Sequence, residues 1–363
     1  MSTIKVLGIM SGTSLDAVDF VKVKIYKKNL KCEYIDMESV SFPLEIRKKL
    51  LLAAQNEKNV RELSSLNHEL GRFYANAYNN LNKKLKNVDL IGLHGQTVFH
   101  DGNRSTLQIG EAAYLKEVSQ KPVVFNFRTA DLARGGQGAP LAPVFHQIVF
   151  GQKKKVISVH NLGGISNFTL IENGKITLGF DTGPANMLID EEIRRQTDKL
   201  NGFDVGGRIA KSGKPNQQLL MKMLEFPYFK QSPPKSCGRE QFGKDFYNKF
   251  QNDLSALSFP DRVATLTELT VHSIAKAYQQ FCKRYPNKII FAGGGSKNSF
   301  LLKRLQEELS SAEVQVVDDY KWPSQSIEGA AFALLAACRF WNIQLDLKSV
   351  TGAKTKGLLG QIA

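Results

Sequence analysis

Residues Gly8-Ile9-Met10-Ser11-Gly12-Thr13-Ser14-Leu15-Asp16 constrain this chain more than any others. They join small residues, hydroxyls and one carboxylate in a run that leads into a strand rather than a helix. Ahead of it, Ile4-Lys5-Val6-Leu7 reads as a short strand. Behind it, Val21, Val23 and Ile25 alternate with Lys22 and Lys24, the period of two that marks a half-buried strand. A P-loop or a dinucleotide fingerprint would run into a helix at this point, so neither fits. The pattern is that of a hairpin whose turn grips phosphate.

The same design recurs later. Val156-Ile157-Ser158-Val159 leads to Asn161-Leu162-Gly163-Gly164-Ile165-Ser166-Asn167, and then to Phe168-Thr169-Leu170-Ile171. Asn173-Gly174 turns the chain back into Lys175-Ile176-Thr177-Leu178, a strong hairpin signal. A third cluster, Gly293-Gly294-Gly295-Ser296, follows the strand Ile289-Ile290-Phe291-Ala292 and opens a helix, where missing Cβ atoms let a flat or charged ligand approach the backbone. One glycine loop alone is an ordinary tight turn. Two hairpin turns followed by a strand-to-helix turn predict an α/β, two-lobed actin-like ATPase fold, a duplicated ribonuclease H-like unit with an interlobe cleft. The hairpins would hold phosphates and the last turn adenosine. The expected lobes are residues 1–135, with the first hairpin, and 136–363, with the second hairpin and the adenosine turn.

With 363 residues and 42% apolar content the chain can bury a sizeable core. The longest apolar run, Ala330 to Ala337, is about half of the roughly 20 residues that cross a bilayer. The start, Met1-Ser2-Thr3-Ile4-Lys5, has no apolar signal core, so the cytoplasm is the expected compartment. Cys32, Cys237, Cys282 and Cys338 form no CxxC pair, which argues against a zinc ribbon or a disulfide framework. The net charge of +15 lies largely in exposed runs such as Lys153-Lys154-Lys155, with no interleaved aromatic stripe, so neither nucleic acid nor membrane is an expected partner.

Leucine spacing predicts two amphipathic helices after Pro43, the second continuing through Leu81 and Leu85. Ala133 to Pro143 reads as a hinge between lobes, Pro227 to Phe242 as polar loop, Ala264 to Tyr285 as a long helix and Ile327 to Phe340 as a final apolar one.

Asp181, in Gly179-Phe180-Asp181-Thr182-Gly183-Pro184-Ala185-Asn186, is the carboxylate expected to act as general base. The same residue also suits a helix N-cap. His94-Gly95-Gln96-Thr97 follows a buried strand, where ligand loops gather in α/β folds, although His94 suits the core equally well. No second histidine at ligand spacing accompanies it, so no metal site built from protein imidazoles is expected. Arg128 can pair with an anionic or hydroxylated substrate, or internally with Asp131. Gln137 lies in the dense run Gly135-Gly136-Gln137-Gly138. Pro233-Pro234-Lys235-Ser236 has no assignable role from residue types alone. Glu328 opens the final helix, favouring its dipole or contacting a substrate.

Taken together, Met10-Ser11-Gly12-Thr13-Ser14-Leu15-Asp16, His94-Gly95-Gln96-Thr97, Leu107-Gln108-Ile109-Gly110, Gly135 to Pro140, Phe180 to Pro184, Pro234-Lys235-Ser236 and Ala264 to Glu268 resemble the anhydro-N-acetylmuramic acid kinases nearly end to end. The resemblance implies that water attacks C1 of a 1,6-anhydro sugar, the internal ether opens, and O6 takes the γ-phosphoryl of ATP. Asp181 would activate the water. Ser11, Gly12, Thr13 and Ser14 would hold phosphate, with Mg²⁺ near Asp16. Gly163, Gly164, Gly293, Gly294 and Gly295 would face the nucleotide, and Gln96, Thr97, Arg128, Asp131 and Glu328 the sugar and its lactyl carboxylate. A homodimer serving cell-wall recycling is implied. Asn126 and Gln325 stand where the family commonly has acidic residues, and the loop after His100 lacks a proline often seen there. The rival readings are a levoglucosan-type kinase, which Arg128 disfavours, and a non-catalytic ATP-binding switch, which would not need Asp181.

Overall fold

A computed structural model describes residues 2–12, 15–102, 104–197 and 202–363. In chain order the strands are β1 (Thr3–Ser11), β2 (Ala17–Tyr26), β3 (Cys32–Ser41), β4 (Leu90–Leu93), β5 (Gln96–Asp101), β6 (Ser105–Ile109), β7 (Val123–Phe125), β8 (Val156–Leu162), β9 (Ile165–Glu172), β10 (Lys175–Pro184), β11 (Lys288–Ala292), β12 (Glu313–Val316) and β13 (Gln361–Ile362). One sheet has the order β13-β7-β4-β1-β2-β3 and another β10-β9-β8-β11-β12. In each, the first three strands form an antiparallel meander, and two further strands add in parallel to the first. The spatial order third, second, first, fourth, fifth occurs twice, which is the duplicated ribonuclease H-like topology of the actin-like ATPase fold.

The hairpins form where the residues predict them. β1 pairs with β2 from Thr3–Tyr26 to Ser11–Val18, leaving the turn that follows Ser11 at the sheet end. Asn173 and Gly174 both have positive φ, 53° and 77°, as a two-residue turn matched to strand twist requires.

The chain divides into two compact units, 1–149 with 325–363, and 150–324. The single boundary expected at 135/136 is therefore displaced to 149/150, and the C-terminal segment returns to the first unit. The reason is a close helix–strand contact. A Cβ on Gly8 would lie 1.8 Å from the carbonyl oxygen of Gly329, and one on Gly92 would lie 2.6 Å from that of Phe332. The Ser326–Phe340 helix thus rests directly on β1 and β4, and β13 then pairs antiparallel with β7.

Two other expectations are corrected. The second early helix spans Val60–Asn80, opened by a capping box between Asn59 and Glu62, and stops before Leu81 because Asn82 caps a separate turn, Lys83–Lys86. The 227–242 segment is not an open polar loop. It contains the short helices Pro227–Lys230 and Arg239–Phe242, and it buries Tyr228, Phe229, Lys235 and Phe242. The long helix runs Phe259–Phe281, with Ser258 as its N-cap.

Gly8→Ala is expected to destabilise the first unit by about 3 kcal/mol, the upper end of overpacking costs, because its new methyl meets helix backbone rather than a movable side chain. Denaturant unfolding checks this; a loss under about 0.5 kcal/mol would contradict the close contact.

Candidate active site

Parallel strands place their carboxyl ends at one edge of a sheet, and that edge collects loops able to bind ligands. In the first unit, β1 ends at Ser11, β4 leads into His94-Gly95, and β7 leads into Asn126 and Arg128. The backbone N–H of His94 donates to Ile9 O at 3.0 Å, and Gln96 Nε2 donates to Gly12 O at 3.3 Å. The expected phosphate turn and the His-Gly-Gln-Thr segment are therefore neighbours. Thr13 and Ser14 lie outside the described residues. A Cβ on Gly12 would meet no atom of the described residues within 4 Å. Ser11 is turned inward: its buried hydroxyl lies 3.3 Å from Tyr74 Oη and 3.4 Å from Gly95 O. Asp16 is half-exposed and paired with Arg47 at 2.7 Å.

Arg128 donates from Nε to His94 Nε2 at 3.0 Å and from Nη1 to Gly138 O at 2.9 Å. Burial, and then the Arg128 charge, hold His94 well below the ordinary histidine range, so it is a neutral acceptor that orients the guanidinium. Its ring packs on Phe332 at 4.4 Å between centroids. Glu328 lies one helical turn before Phe332 and so shares its helix face. Histidine and arginine from two separate stretches are thus brought together, with Phe332 of a third packed on the histidine.

Asp131 is placed differently from the expectation of a sugar contact. It is buried, and its Oδ2 accepts the Gly138 N–H at 2.7 Å and its Oδ1 the Thr351 hydroxyl at 2.8 Å. The carboxylate organises the 135–138 loop from inside.

The hairpin β5–β6 adds residues that sequence reasoning did not assign. Gln108 Nε2 donates to Thr97 Oγ1 at 3.3 Å and to Thr106 Oγ1 at 2.7 Å, and His100 Nδ1 lies 3.0 Å from the same Thr106 oxygen. Three buried atoms here, Gln96 Oε1, Gln108 Oε1 and His100 Nε2, have no hydrogen-bond partner among the described residues. Burial lowers His100 to about 4, so its ring is neutral. Acceptor atoms in this state suit a ligand rich in O–H and N–H groups.

In the second unit β10 runs parallel to β8, so Asp181 reaches the same sheet edge as Gly163 and Gly293. Gly293 has φ of 80°, and a Cβ there would lie 2.3 Å from Asn161 Oδ1; one on Gly295 would lie 2.7 Å from Leu162 Cβ. Asn186 Nδ2 donates to Leu162 O at 3.1 Å and Gly163 O at 2.7 Å. The Gly163-Gly164 and Gly293–Gly295 turns are thereby held side by side, and a Cβ on Gly294 would meet nothing within 4 Å.

Asp181 sits on β10 at a register shift opposite Asn167 and Ser166, six residues ahead of the Met187–Thr197 helix, so the N-cap reading does not hold. The residue is 9% exposed, and Oδ2 accepts the Cys237 N–H at 2.9 Å. Its own N–H donates to Lys235 O at 3.2 Å, while the Tyr228 hydroxyl donates to its carbonyl at 2.7 Å. The 227–242 segment therefore frames this carboxylate. The Pro-Pro-Lys-Ser run was the signal for it, but burial around Asp181 could not be read from residue types.

Among the described residues no group of three or more histidine, cysteine, aspartate or glutamate side chains could hold a metal ion. A magnesium ion bound with nucleotide needs only one or two carboxylates beside phosphate oxygens, a demand that the half-exposed Asp16 fits.

The buried histidines of the first unit set a pH dependence. His94, His100 and His146 all have folded-state pKa values below the ordinary 6.5, with His146 lowered to about 3 by burial. Below 6.5 the unfolded chain takes up protons that the folded chain refuses, so stability present above that pH falls as pH drops toward 5, by about 1.4 kcal/mol per pH unit for each group. His94→Gln should remove about one proton's worth of this slope in denaturant titrations between pH 6.5 and 5. An unchanged slope would contradict the buried neutral state.

Comparison with known proteins supplies the family. Residues 4–363 match the profile described as anhydro-N-acetylmuramic acid kinase. Proteins named anhydro-N-acetylmuramic acid kinase are similar along their whole length. The one from Caldanaerobacter subterraneus subsp. tengcongensis is 36% identical, covering 99% of this chain and 96% of its own. That from Bacillus thuringiensis subsp. konkukian is 38% identical with 98% of each covered, and that from Synechococcus elongatus is 36% identical with 99% of each covered. With two ribonuclease H-like sheets, two glycine turns joined at one sheet edge and a framed aspartate beside them, this chain belongs to the anhydro-N-acetylmuramic acid kinase family.

Proposed function

We propose that the protein is an ATP-dependent kinase that opens the 1,6-anhydro ring of 1,6-anhydro-N-acetylmuramic acid with water and phosphorylates O6, giving N-acetylmuramic acid 6-phosphate and ADP. Family membership over residues 4–363 supports the reaction. The observation that carries the residue assignment is Asp181, whose carboxylate accepts the Cys237 N–H and whose backbone is held by Lys235 O and the Tyr228 hydroxyl.

In this reading Asp181 takes a proton from water as its oxygen bonds to C1. The C1–O6 bond breaks, and the electron pair left on O6 attacks the γ-phosphorus, expelling ADP. A positioned base of this kind contributes roughly 10²–10⁴-fold. Gly163, Gly164 and the Gly293–Gly295 turn accommodate the nucleotide, and Gly12 with its neighbours the phosphates. Gln96, Thr97, Arg128 and Glu328 serve the sugar, joined by Gln108 and His100, whose buried acceptors suit its hydroxyl and amide donors. Asp131 shapes the loop beneath Arg128. Mg²⁺ held at Asp16 would supply neutralisation of phosphate charge. The anhydro sugar of this family bears a lactyl carboxylate, and Arg128, oriented by His94 and Gly138, suits it better than an uncharged anhydrohexose. No helix among the described residues is long and apolar enough to cross a membrane. A cytoplasmic homodimer is the state we propose, and light scattering on purified protein tests the dimer.

Purified protein with ATP and magnesium should convert the anhydro sugar to its 6-phosphate, with heavy oxygen from labelled water entering at C1. Label found only in inorganic phosphate would mean plain ATP hydrolysis and would sink the reading. Asp181→Asn should abolish turnover while nucleotide still binds, and retained turnover would remove Asp181 from the base role. Arg128→Ala should raise KM for the acidic sugar about 10–100-fold, the worth of a charged hydrogen bond, with little change for a sugar lacking the carboxylate. Equal effects on both sugars would assign Arg128 elsewhere.

A further inference from the structure

Lys235 is 7% exposed, an unusual state for an ammonium group. Its Nζ donates to Tyr228 O at 3.1 Å and lies over three aromatic rings, 4.7 Å from the centroid of Phe281, 4.8 Å from Tyr228 and 5.3 Å from Phe180. Phe180 immediately precedes Asp181 on β10, and the backbone of Lys235 itself accepts the Asp181 N–H. Two residues further on, the Cys237 N–H reaches the carboxylate. The Tyr228 hydroxyl closes the circuit on the Asp181 carbonyl. Every one of these bonds depends on the 228–237 segment keeping its path over β10. That path is also fixed sterically at Gly183, where a Cβ would lie 2.7 Å from the Phe229 ring.

An apolar side chain of similar length would fill this aromatic cage without the cost of desolvating a charge. The cation supplies what such a side chain would lack: a donor for Tyr228 O, attraction to three ring faces, and a positive charge close to the Asp181 carboxylate. We propose that Lys235 is a positioning residue for the reaction, anchoring the 228–237 segment so that the Cys237 N–H holds the Asp181 carboxylate in the orientation that accepts a proton from water. The proposal rests on Asp181 being the base. It extends that reading to a side chain that touches no substrate.

The charged and titratable groups around the ammonium are Asp181 from β10, Cys237 and Tyr228 from its own segment, and Lys276 from the Phe259–Phe281 helix. Burial outweighs the raising influence of Cys237 and Asp181 and lowers Lys235 to about 8. Loss of its charge above that pH is therefore a readout that a purely structural side chain would not give.

The experiment compares Lys235→Met, Lys235→Arg and the unaltered enzyme by steady-state kinetics across pH 5–10, alongside melting temperature and Asp181→Asn. The unaltered enzyme should lose kcat on an alkaline limb near pH 8. Lys235→Met should lower kcat about 10–100-fold, leave KM for ATP and for the anhydro sugar within about threefold, and lack that limb. Lys235→Arg stays charged across this range, so it should recover much of kcat and move the limb upward. Unaltered kcat in Lys235→Met, a loss confined to KM, or a limb that stays near pH 8 in the variants would each overturn the proposal. Should Lys235→Met melt below assay temperature, the Lys235→Arg limb decides alone: displaced supports, undisplaced overturns. Turnover retained in Asp181→Asn would sink the base assignment itself. An inactive Asp181→Asn beside a fully active Lys235→Met would sink the positioning role only.

Discussion

The first unit depends on backbone lying against backbone where the Ser326–Phe340 helix crosses β1 and β4. With side chains removed at Gly8, Gly92 and Gly329, the helix axis comes closer to the sheet than ordinary apolar packing allows, and small residues such as Ala330, Ala333, Ala336 and Ala337 complete the buried face. The contact has a chemical consequence. It lays Phe332 against His94 and Phe127, and so sets the ring whose nitrogen aims Arg128. The same apposition that seals the apolar core therefore fixes the polar edge. A helix standing further off would leave His94 free to tilt and the guanidinium without its direction.

The second unit reaches an ordered edge by another route. Its sheet has the same strand order, but the Asp181 edge is finished by a segment of short helices that covers β10 with aromatic rings and one buried ammonium. Phe226, Phe229, Phe242 and Phe246 pack edge-on and tilted at 5.0–5.7 Å, which makes this cover a hydrophobic body rather than a flap. Such a cover excludes water from one side of the carboxylate while the Cys237 N–H takes the place of solvent there. Electrostatic preorganisation of this kind is what a base needs if it is to stay ionised and oriented before substrate arrives.

Much of this was legible in the chain. Strand period, the Asn173-Gly174 turn and the three glycine clusters act over a few residues, and local chemistry determines them almost alone. Both sheets, and the placing of Gly12, Gly163, Gly293 and Asp181 at strand ends, follow from those signals. What was not legible depends on contacts between distant stretches. Gly8 meets Gly329 across nearly the whole chain, so no local pattern marks the return of the C-terminal helix to the first unit. Asp131 and Arg128, three residues apart, suggested an internal ion pair or a joint substrate contact; instead Asp131 turns inward to Thr351 and Gly138, and Arg128 bonds to His94. The 227–242 segment reads as polar because its lysines and serines are counted as if exposed. Lys235 is buried because Tyr228 of its own segment and rings from two distant elements, Phe180 and Phe281, enclose it.

Duplication also explains why a single acid carries the proposed chemistry. The third strand of each meander ends at the same edge of its sheet: β10 closes on Asp181-Thr182-Gly183-Pro184, whereas β3 closes on Ser41 and continues into Phe42-Pro43. Where the second unit pairs Asp181 with the third residue of its middle strand, Asn167, the first unit pairs Ser39 with Asp19, and Phe42 beyond the strand packs against Phe73 in the core. The first unit's own carboxylate, Asp16, lies instead on the turn before β2, half-exposed and neutralised by Arg47. Asp16 is open to the hydrated cation proposed for it, while Asp181, 9% exposed, has its carboxylate fixed in place by the Cys237 N–H. Two copies of one scaffold thus place acids of the same type in opposite environments, and environment rather than residue identity separates the proposed metal-facing group from the proposed base.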